Sequence, residues 1–492
     1  MTDHNVVVIG AGPAGLTAGY LLAKENIPVT ILESDPTYVG GIARTVTYKN
    51  YCFDIGGHRF FSKSKEVEDF WSEILPDDML SRPRSSRIFY NNQFFSYPLK
   101  FFEVLTKLGL IESIACCLSY VKVRLFPIKH PRSFADWVTN HFGKRLFNIF
   151  FKTYTEKVWG MSCDTISADW AAQRIKGLSL LTAVINAIRP KPRKNKIIKT
   201  LIDSFRYPRK GPGMLWEACA QKIRTLGGRV ENGRTVIRCE YKADEGKWHT
   251  YYRDQAGKIE LITSKHVISS SPLRELVNDT LSPTPTVQAA ASQLKYRDFL
   301  IVIVILKDRN LFTDNWIYIH DPAVDVARIQ NFKSWSPDMV PDAGMACYGM
   351  EYFCFEQDGL WDSSDHDLLM KAKNELVKIG LAEMDDVVDG CVIRQVKAYP
   401  VYDADYKAHV KSIRDELEKS YPGLHLIGRN GMHKYNNQDH AMMTAMLTVK
   451  NILADKKIYD VWNVNEDAEY HESGYAAAVS TSGLRSVPNA IS

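Results

Sequence analysis

The chain has 492 residues, too many for one simple core, so two or three domains are expected. It is 45% hydrophobic and 24% charged, the make-up of a soluble globular protein, and 62 basic against 57 acidic residues leave +5, too mild to imply nucleic acid. Nine scattered cysteines with no CxxC spacing spell neither a zinc site nor a disulfide framework, which fits a reducing, cytoplasmic setting.

The first apolar run, Val6 to Ile9, is too short for a signal peptide and leads straight into Gly10-Ala11-Gly12-Pro13-Ala14-Gly15. An alanine- and leucine-rich helix pattern follows to about Asn26, then a second apolar run, Val29 to Leu32, ending in Glu33. Strand, tight turn, helix and strand in this order predict a dinucleotide-binding unit. Gly10 permits the turn, Gly12 lets the backbone approach a pyrophosphate, and Gly15 lets helix and strand pack closely. The helix start offers unpaired N–H groups and a positive dipole end to phosphates, and Glu33 can accept hydrogen bonds from ribose hydroxyls.

Next comes Gly40-Gly41-Ile42-Ala43-Arg44, where the glycine pair suggests backbone passing close to a cofactor and Arg44 is placed to meet a phosphate. A second pair, Gly56-Gly57, precedes His58 and the aromatic pair Phe60-Phe61; it reads equally as backbone laid against a flat ring or as a turn with core phenylalanines. Lys65 to Leu75 reads as an amphipathic helix, and Arg87 to Tyr97 as two short strands around Asn91-Asn92. Leu99 to Phe126 is helical and apolar with interspersed charges; it reads as a buried helical pair, with a peripheral membrane contact as the alternative. No stretch is long enough to span a membrane. Phe134 to Phe151 is another helix pattern, and Tyr154 to Met161 an aromatic, charged turn. The basic stretch from Arg189 to Lys199 reads as a solvated loop or as a flap for an anionic substrate. Phe299 to Leu306, Trp316 to His320, Arg328 to Phe332, Ala346 to Tyr352 and Cys391 to Ala398 predict a second, mostly antiparallel sheet. After Gly428-Arg429-Asn430-Gly431, a helix opens at Asn437-Gln438 with Met442, Met446, Val449 and Leu453 as a core face.

The expected organisation is an α/β fold: a cofactor domain in three parts (1–98, 205–280, 401–465), a helical insertion (99–204), an antiparallel sheet domain (281–400) and a tail (466–492). No metal-spaced cluster, P-loop or GxSxG elbow is present, so no metal site is expected.

GAGPAG, the glycine pair before Arg44, DIGGH, YTEKVWG, FRYP, NWIY, RIQNF, AYP and the late GR…Y…NQDH occur in an order that resembles the glutathione-reductase-type FAD proteins. Within them the chain is similar to the amine oxidase and protoporphyrinogen oxidase superfamily, and to its UDP-galactopyranose mutase branch in particular, from Val6 to about Ile452. The resemblance implies FAD, kept reduced by an external reductant such as NAD(P)H; the flavin N5 attacks the anomeric carbon of a nucleotide sugar. Pyranose and furanose forms then interconvert without net redox change, in the biosynthesis of a cell-surface polysaccharide. A homo-oligomer is expected.

Carried over residue by residue, the resemblance makes His58, Arg174 and Arg328 the catalytic set, the two arginines gripping the diphosphate. It puts Phe150, Tyr154, Trp159, Tyr318, Trp335, Tyr399 and Tyr435 with Arg174 and Arg328 at the substrate. It gives the cofactor Gly10, Gly12, Pro13, Ala14, Gly15, Glu33, Ser34, Gly40, Gly41, Ile42, Ala43, Arg44, Gly56, Gly57, His58, Arg87, Val236, Gly428, Arg429, Asn437 and Gln438. Three positions depart from the mutase pattern: Trp335 replaces a tyrosine, Lys100 a glutamine and Ile202 an asparagine. These touch substrate rather than the FAD framework, and keep open an alternative, an FAD oxidoreductase acting on an anionic or nucleotide-linked substrate. A flavin-less escort of the same fold, like the Rab GDP-dissociation inhibitors, is disfavoured by the intact glycine turn and Glu33.

Overall fold

A computed structural model describes residues 4–168 and 204–465. Arg174, the basic stretch from Arg189 to Lys199, Ile202 and the tail 466–492 lie outside the described residues. The opening unit is β1 (His4–Ile9), α1 (Pro13–Lys24) and β2 (Val29–Leu32). The hairpin β3 (Ser86–Tyr90) and β4 (Gln93–Ser96) follows. The helices that follow include α2 (Phe101–Leu108), α3 (Leu110–Leu125), α4 (Phe134–Phe142) and α5 (Thr153–Trp159). After α6 (Pro212–Thr225) come β5 (Arg229–Glu231), β6 (Thr235–Lys242), β7 (Lys247–Arg253) and β8 (Ile259–Ser269). The later strands are β9 (Tyr296–Lys307), β10 (Trp316–Ile319), β11 (Arg328–Asn331), β12 (Met345–Cys354) and β13 (Val387–Pro400), and the chain closes on β14 (Leu424–Leu426) and α7 (Gln438–Leu453).

These form two main sheets. In the first, ordered β6-β7-β8-β1-β2-β5, the far half of β8 lies between β1 and β14, all parallel. Val6, Val7 and Val8 are fully buried, as a central parallel strand covered on both faces requires. Helices α1 and α7 pack together, with Met442, Met446 and Val449 of α7 in the core; Leu453, expected on that face, is 46% exposed at the helix end. The second sheet runs β13-β9-β12-β11-β10-β3-β4, antiparallel except where β10 meets β3. It is covered on both faces too: Phe299, Ile301, Ile303, Trp316 and Tyr318 join one core, Leu300, Val302, Val304, Ile317 and Ile319 another. Asn91 and Asn92 take positive φ (49° and 55°) in the β3–β4 turn, which asparagine tolerates.

Two expectations fail. Tyr154 to Met161 is not a turn but mostly α5, which Gly160 ends at φ +62°; a Cβ there would lie 2.4 Å from the Arg297 guanidinium carbon. Nor are α2 and α3 a buried pair. On α3 only Ser113, Cys116 and Val123 turn inward, while the apolar stripe of that helix is exposed.

Candidate functional site

The first part of the site is the turn between β1 and α1. Gly10 turns the chain at φ +95°, and a Cβ on Gly15 would lie 1.9 Å from the Gly10 carbonyl oxygen, so the helix sits on the turn with no room for a side chain. A Cβ on Gly12 would meet nothing within 4 Å. Gly12 is the N-cap of α1, Pro13 opens the helix, and no side chain caps it. No side chain therefore occupies the positive end of the helix, where the space at Gly12 lies. Glu33 closes the unit: its Oε2 accepts the Ala11 N–H (2.6 Å) and its Oε1 the Asp35 N–H (2.9 Å). Exposed Ser34 donates its hydroxyl to the same carboxylate. Gly40 to Ala43 form a tight turn tied to Ala11 by the Gly40 N–H (2.7 Å). Gly428, at φ +83°, presses on α1, and a Cβ there would stand 3.2 Å from the Ala14 Cβ. Val236 lies two residues past Arg234, whose N–H donates to the Glu33 carbonyl.

The second part is a cleft of about 1130 Å³, counting space open to solvent. Its walls are the Gly56–Lys63 loop, β10, β11, Tyr399 and the turn into α7. Arg59, Lys63, Arg328 and Arg429 line it against one carboxylate, Asp439, so the cleft suits an anion. Arg328 and Glu351 are paired residues on β11 and β12, which puts both side chains on one face. Burial works against the Arg328 charge, but Glu351 beside it outweighs this and raises its pKa well above the ordinary value. The Arg429 guanidinium sits 5.2 and 5.3 Å from the ring centres of Tyr399 and Tyr435, themselves stacked at 5.4 Å. Burial, with Tyr435 next, pushes Tyr399 up to about 12.

His58 Nδ1 lies 3.1 Å from the Gly56 carbonyl oxygen. That oxygen only accepts, so Nδ1 carries the proton and Nε2 remains an acceptor. Burial, then Arg429, lowers the His58 pKa to about 3, so the ring is neutral at ordinary pH. Gly57 allows the loop to lie against the sheet; a Cβ there would stand 2.8 Å from Gln330 Nε2 and 3.3 Å from the Trp335 ring. Of the aromatic pair that follows, Phe60 is core against Trp71 and Phe61 lines the cleft.

Of the residues expected at substrate, Tyr318, Arg328, Trp335, Tyr399 and Tyr435 line this cleft, as do Arg429, Asn437 and Gln438 from the cofactor set. Trp335 is buried and spends its indole N–H on Asn315 and Gln330, so it gives the cleft a wall and no donor. Tyr154 stacks on His320 and meets Tyr318 edge-on, one layer behind. Trp159 lies 6.1 Å from Tyr435, in the core of the helical segment. Phe150 is buried against Phe95 and Tyr90 and is not among the residues lining the cleft. Arg44 is spent on the Gly41 carbonyl and on Gln395. Arg87 does not line the cleft either. Its partner on β10 is Ile317, on the face away from Trp316 and Tyr318, and it is paired with Asp314 at 2.6 Å.

Arg84 packs instead behind the cleft wall, against Trp316. Its guanidinium lies over Tyr97 and Trp316 at 5.4 and 5.6 Å, and all three nitrogens are buried without a hydrogen-bond partner. The indole nitrogen of Trp316, in the cleft wall, also lacks one. Arg59, Lys63 and Gln330 were within reach of sequence reasoning, standing in or beside motifs quoted for other residues. Glu351 was not, since no local pattern marks it.

Comparisons with known proteins bear on the fold. Residues 8–74 match the NAD(P)-binding Rossmann-like domain. A dTDP-fucopyranose mutase of Escherichia coli is 28% identical over 172 residues, 34% of this chain and 44% of that protein, so the match spans less than half of the relative. A crystal structure of reduced UDP-galactopyranose mutase superposes with a TM-score of 0.80 at 20% identity, covering 95% of this chain and 98% of that one. A protein provisionally assigned as a protoporphyrinogen oxidase, from Exiguobacterium sp. 255-15, does so at 0.69 and 15% identity, covering 93% and 100%. The chain has the fold these structures share.

Proposed function

We propose that the protein is a flavin-dependent mutase that interconverts the pyranose and furanose forms of a nucleotide-linked sugar, inside the cell, for a surface glycan. One observation carries this reading: Arg328, held charged by buried Glu351, shares a cleft with Arg429, a neutral histidine and two stacked tyrosines. Guanidinium forks pair with diphosphate oxygens, and tyrosine hydroxyls add donors at low entropy cost. A site that oxidises a neutral amine would be disfavoured by the same arginines.

The residues fit FAD. The open N-terminus of α1, the space at Gly12 and Glu33 suit its adenosine diphosphate half; Gly56, Gly57, His58, Gly428 and Asn437 suit its flavin end. When bound and reduced, the flavin supplies a nucleophilic nitrogen. The chain's own part is to hold the diphosphate on Arg328, to stand Arg429 beside the flavin end, and to accept a hydrogen bond at His58 Nε2. Trp316 and Trp335, stacked at 5.4 Å, close one wall to water.

The inward-turned indole N–H of Trp335 favours a second reading, an FAD oxidoreductase on an anionic or nucleotide-linked substrate, because it removes a donor expected at the diphosphate. Anaerobic incubation with a panel of nucleotide sugars, oxidised and dithionite-reduced, separates the two. A same-mass isomer formed only by reduced enzyme supports the mutase. Bleaching of oxidised flavin by one compound, with no isomer from any, supports the oxidoreductase.

A further inference from the structure

We propose that α3, with the segments flanking it, is a docking face for an anionic lipid surface. On α3 the side chains of Ile111, Ile114, Leu118, Val121 and Leu125 recur at three- and four-residue intervals, so they form one stripe. Their exposure runs from 50% at Ile114 to 86% at Ile111. Phe102 on α2 and Phe126 just past α3 extend the apolar surface, at 60% and 75%. A stripe of this spacing ordinarily faces a core; here the inward positions are Ser113, Cys116 and Val123.

The charges around the stripe indicate what covers it. Between Leu99 and Arg132 the sequence has six lysines and arginines against two glutamates. Both glutamates are engaged, Glu103 by Lys107 and Glu112 by Arg145. Lys100, Lys122, Arg124, Lys129 and Arg132 are exposed and carry no ion pair among the described residues. An apolar stripe with an uncompensated basic rim matches acyl chains beneath anionic headgroups. A second copy laid stripe to stripe would bring the same basic rim towards itself, with no acid left to answer it. With 16 residues, α3 is about 24 Å long, short of the ~30 Å hydrocarbon core, so it would lie in the interface rather than cross it. No helix among the described residues is long and apolar enough to span a membrane.

Vesicle flotation of the full chain tests this at low salt. The protein should float with vesicles of equal parts phosphatidylcholine and phosphatidylglycerol, and not with phosphatidylcholine alone. Lys122→Gln with Arg124→Gln should weaken the partition about thirtyfold, and high salt should do likewise. Ile114→Gln with Leu118→Gln should weaken it by at least as much. All four side chains are exposed, so thermal midpoints should not move. Failure to float with the mixed vesicles overturns the proposal. So does a dimer in sedimentation that Leu118→Gln dissociates while flotation is unchanged, which would assign the stripe to a second copy.

Discussion

Arg328 donates from Nε and from a terminal nitrogen to one oxygen of Glu351, both at 2.6 Å, and Glu351 is wholly shielded from solvent. The other oxygen accepts the Gln330 amide, whose own oxygen accepts the Trp335 indole N–H. One carboxylate thus orders three residues of the cleft wall. Glu351→Gln keeps the shape and removes the charge, leaving a buried guanidinium uncompensated. We expect a loss of about 3–5 kcal/mol, read as a fall in the urea midpoint at unchanged slope. A midpoint equal to wild type would mean that Arg328 does not need this partner.

Gly12 and Gly15 should respond in different ways to the same added methyl groups. A side chain on Gly15 collides with the Gly10 carbonyl, so Gly15→Val should fail to fold. A side chain on Gly12 meets open space at φ −76°, so Gly12→Val should fold with a near-normal thermal midpoint. It would occupy the approach to the α1 N-terminus, and flavin absorbance per polypeptide should fall. A fully flavinated Gly12→Val protein would place the pyrophosphate elsewhere.

Much of this is legible in the residues alone. The Gly10–Gly15 turn needs residues of one kind at fixed spacing, and it appears where the motif predicts. What failed has identifiable physical causes. Ile88 and Phe89 are both buried because the second sheet is covered on both faces, so β3 shows no alternation to tell which face Arg87 takes. The α3 stripe has the spacing of a core helix, and a periodic pattern marks a face without saying what lies against it. Glu351 pairs with Arg328 through strand register across 23 residues, a distance that no local motif spans.

The pH dependence of stability has a definite sign. Burial first of all holds His58 and His320 down to about 3, and His425 and His433 to about 4. Unfolded histidines titrate near 6.5, so below that pH the unfolded chain binds more protons and stability falls towards acid, by about 1.4 kcal/mol per pH unit for each fully titrating group. Asp54 works the other way. Buried between Tyr207 and Thr45, it is raised to about 8, so its contribution is present at low pH and lost as pH rises through 8. These histidines, with His266 lowered as well, act against Asp54 and the raised carboxyls Glu217 and Asp298, and put the maximum near pH 6.5. Urea midpoints at pH 5, 6.5 and 8 should peak in the middle, and Asp54→Asn should flatten the alkaline side. A midpoint that rises from pH 6.5 to 5 would contradict the assignment of neutral histidines.

Arg84 and Arg87 lie three residues apart and should respond to loss of charge in opposite directions. Arg87 is satisfied by Asp314, so Arg87→Met strands a carboxylate that is 7% exposed and should destabilise the protein. Arg84 has three buried nitrogens and no partner, a cost to the protein when nothing anionic is bound. Arg84→Met keeps the aliphatic stem against Trp316 and Tyr97, removes the unpaired charge, and should raise the thermal midpoint of ligand-free protein. The same change should weaken binding of an anionic ligand that reaches Arg84 by roughly tenfold or more, the worth of a charged hydrogen bond. Thermal midpoints with and without FAD and a nucleoside diphosphate, for both variants, give four comparisons. The reading holds if Arg84→Met gains stability alone and loses the ligand-induced shift, while Arg87→Met loses stability and keeps the shift. If Arg84→Met is destabilised without ligand, its guanidinium is serving the fold rather than the cleft.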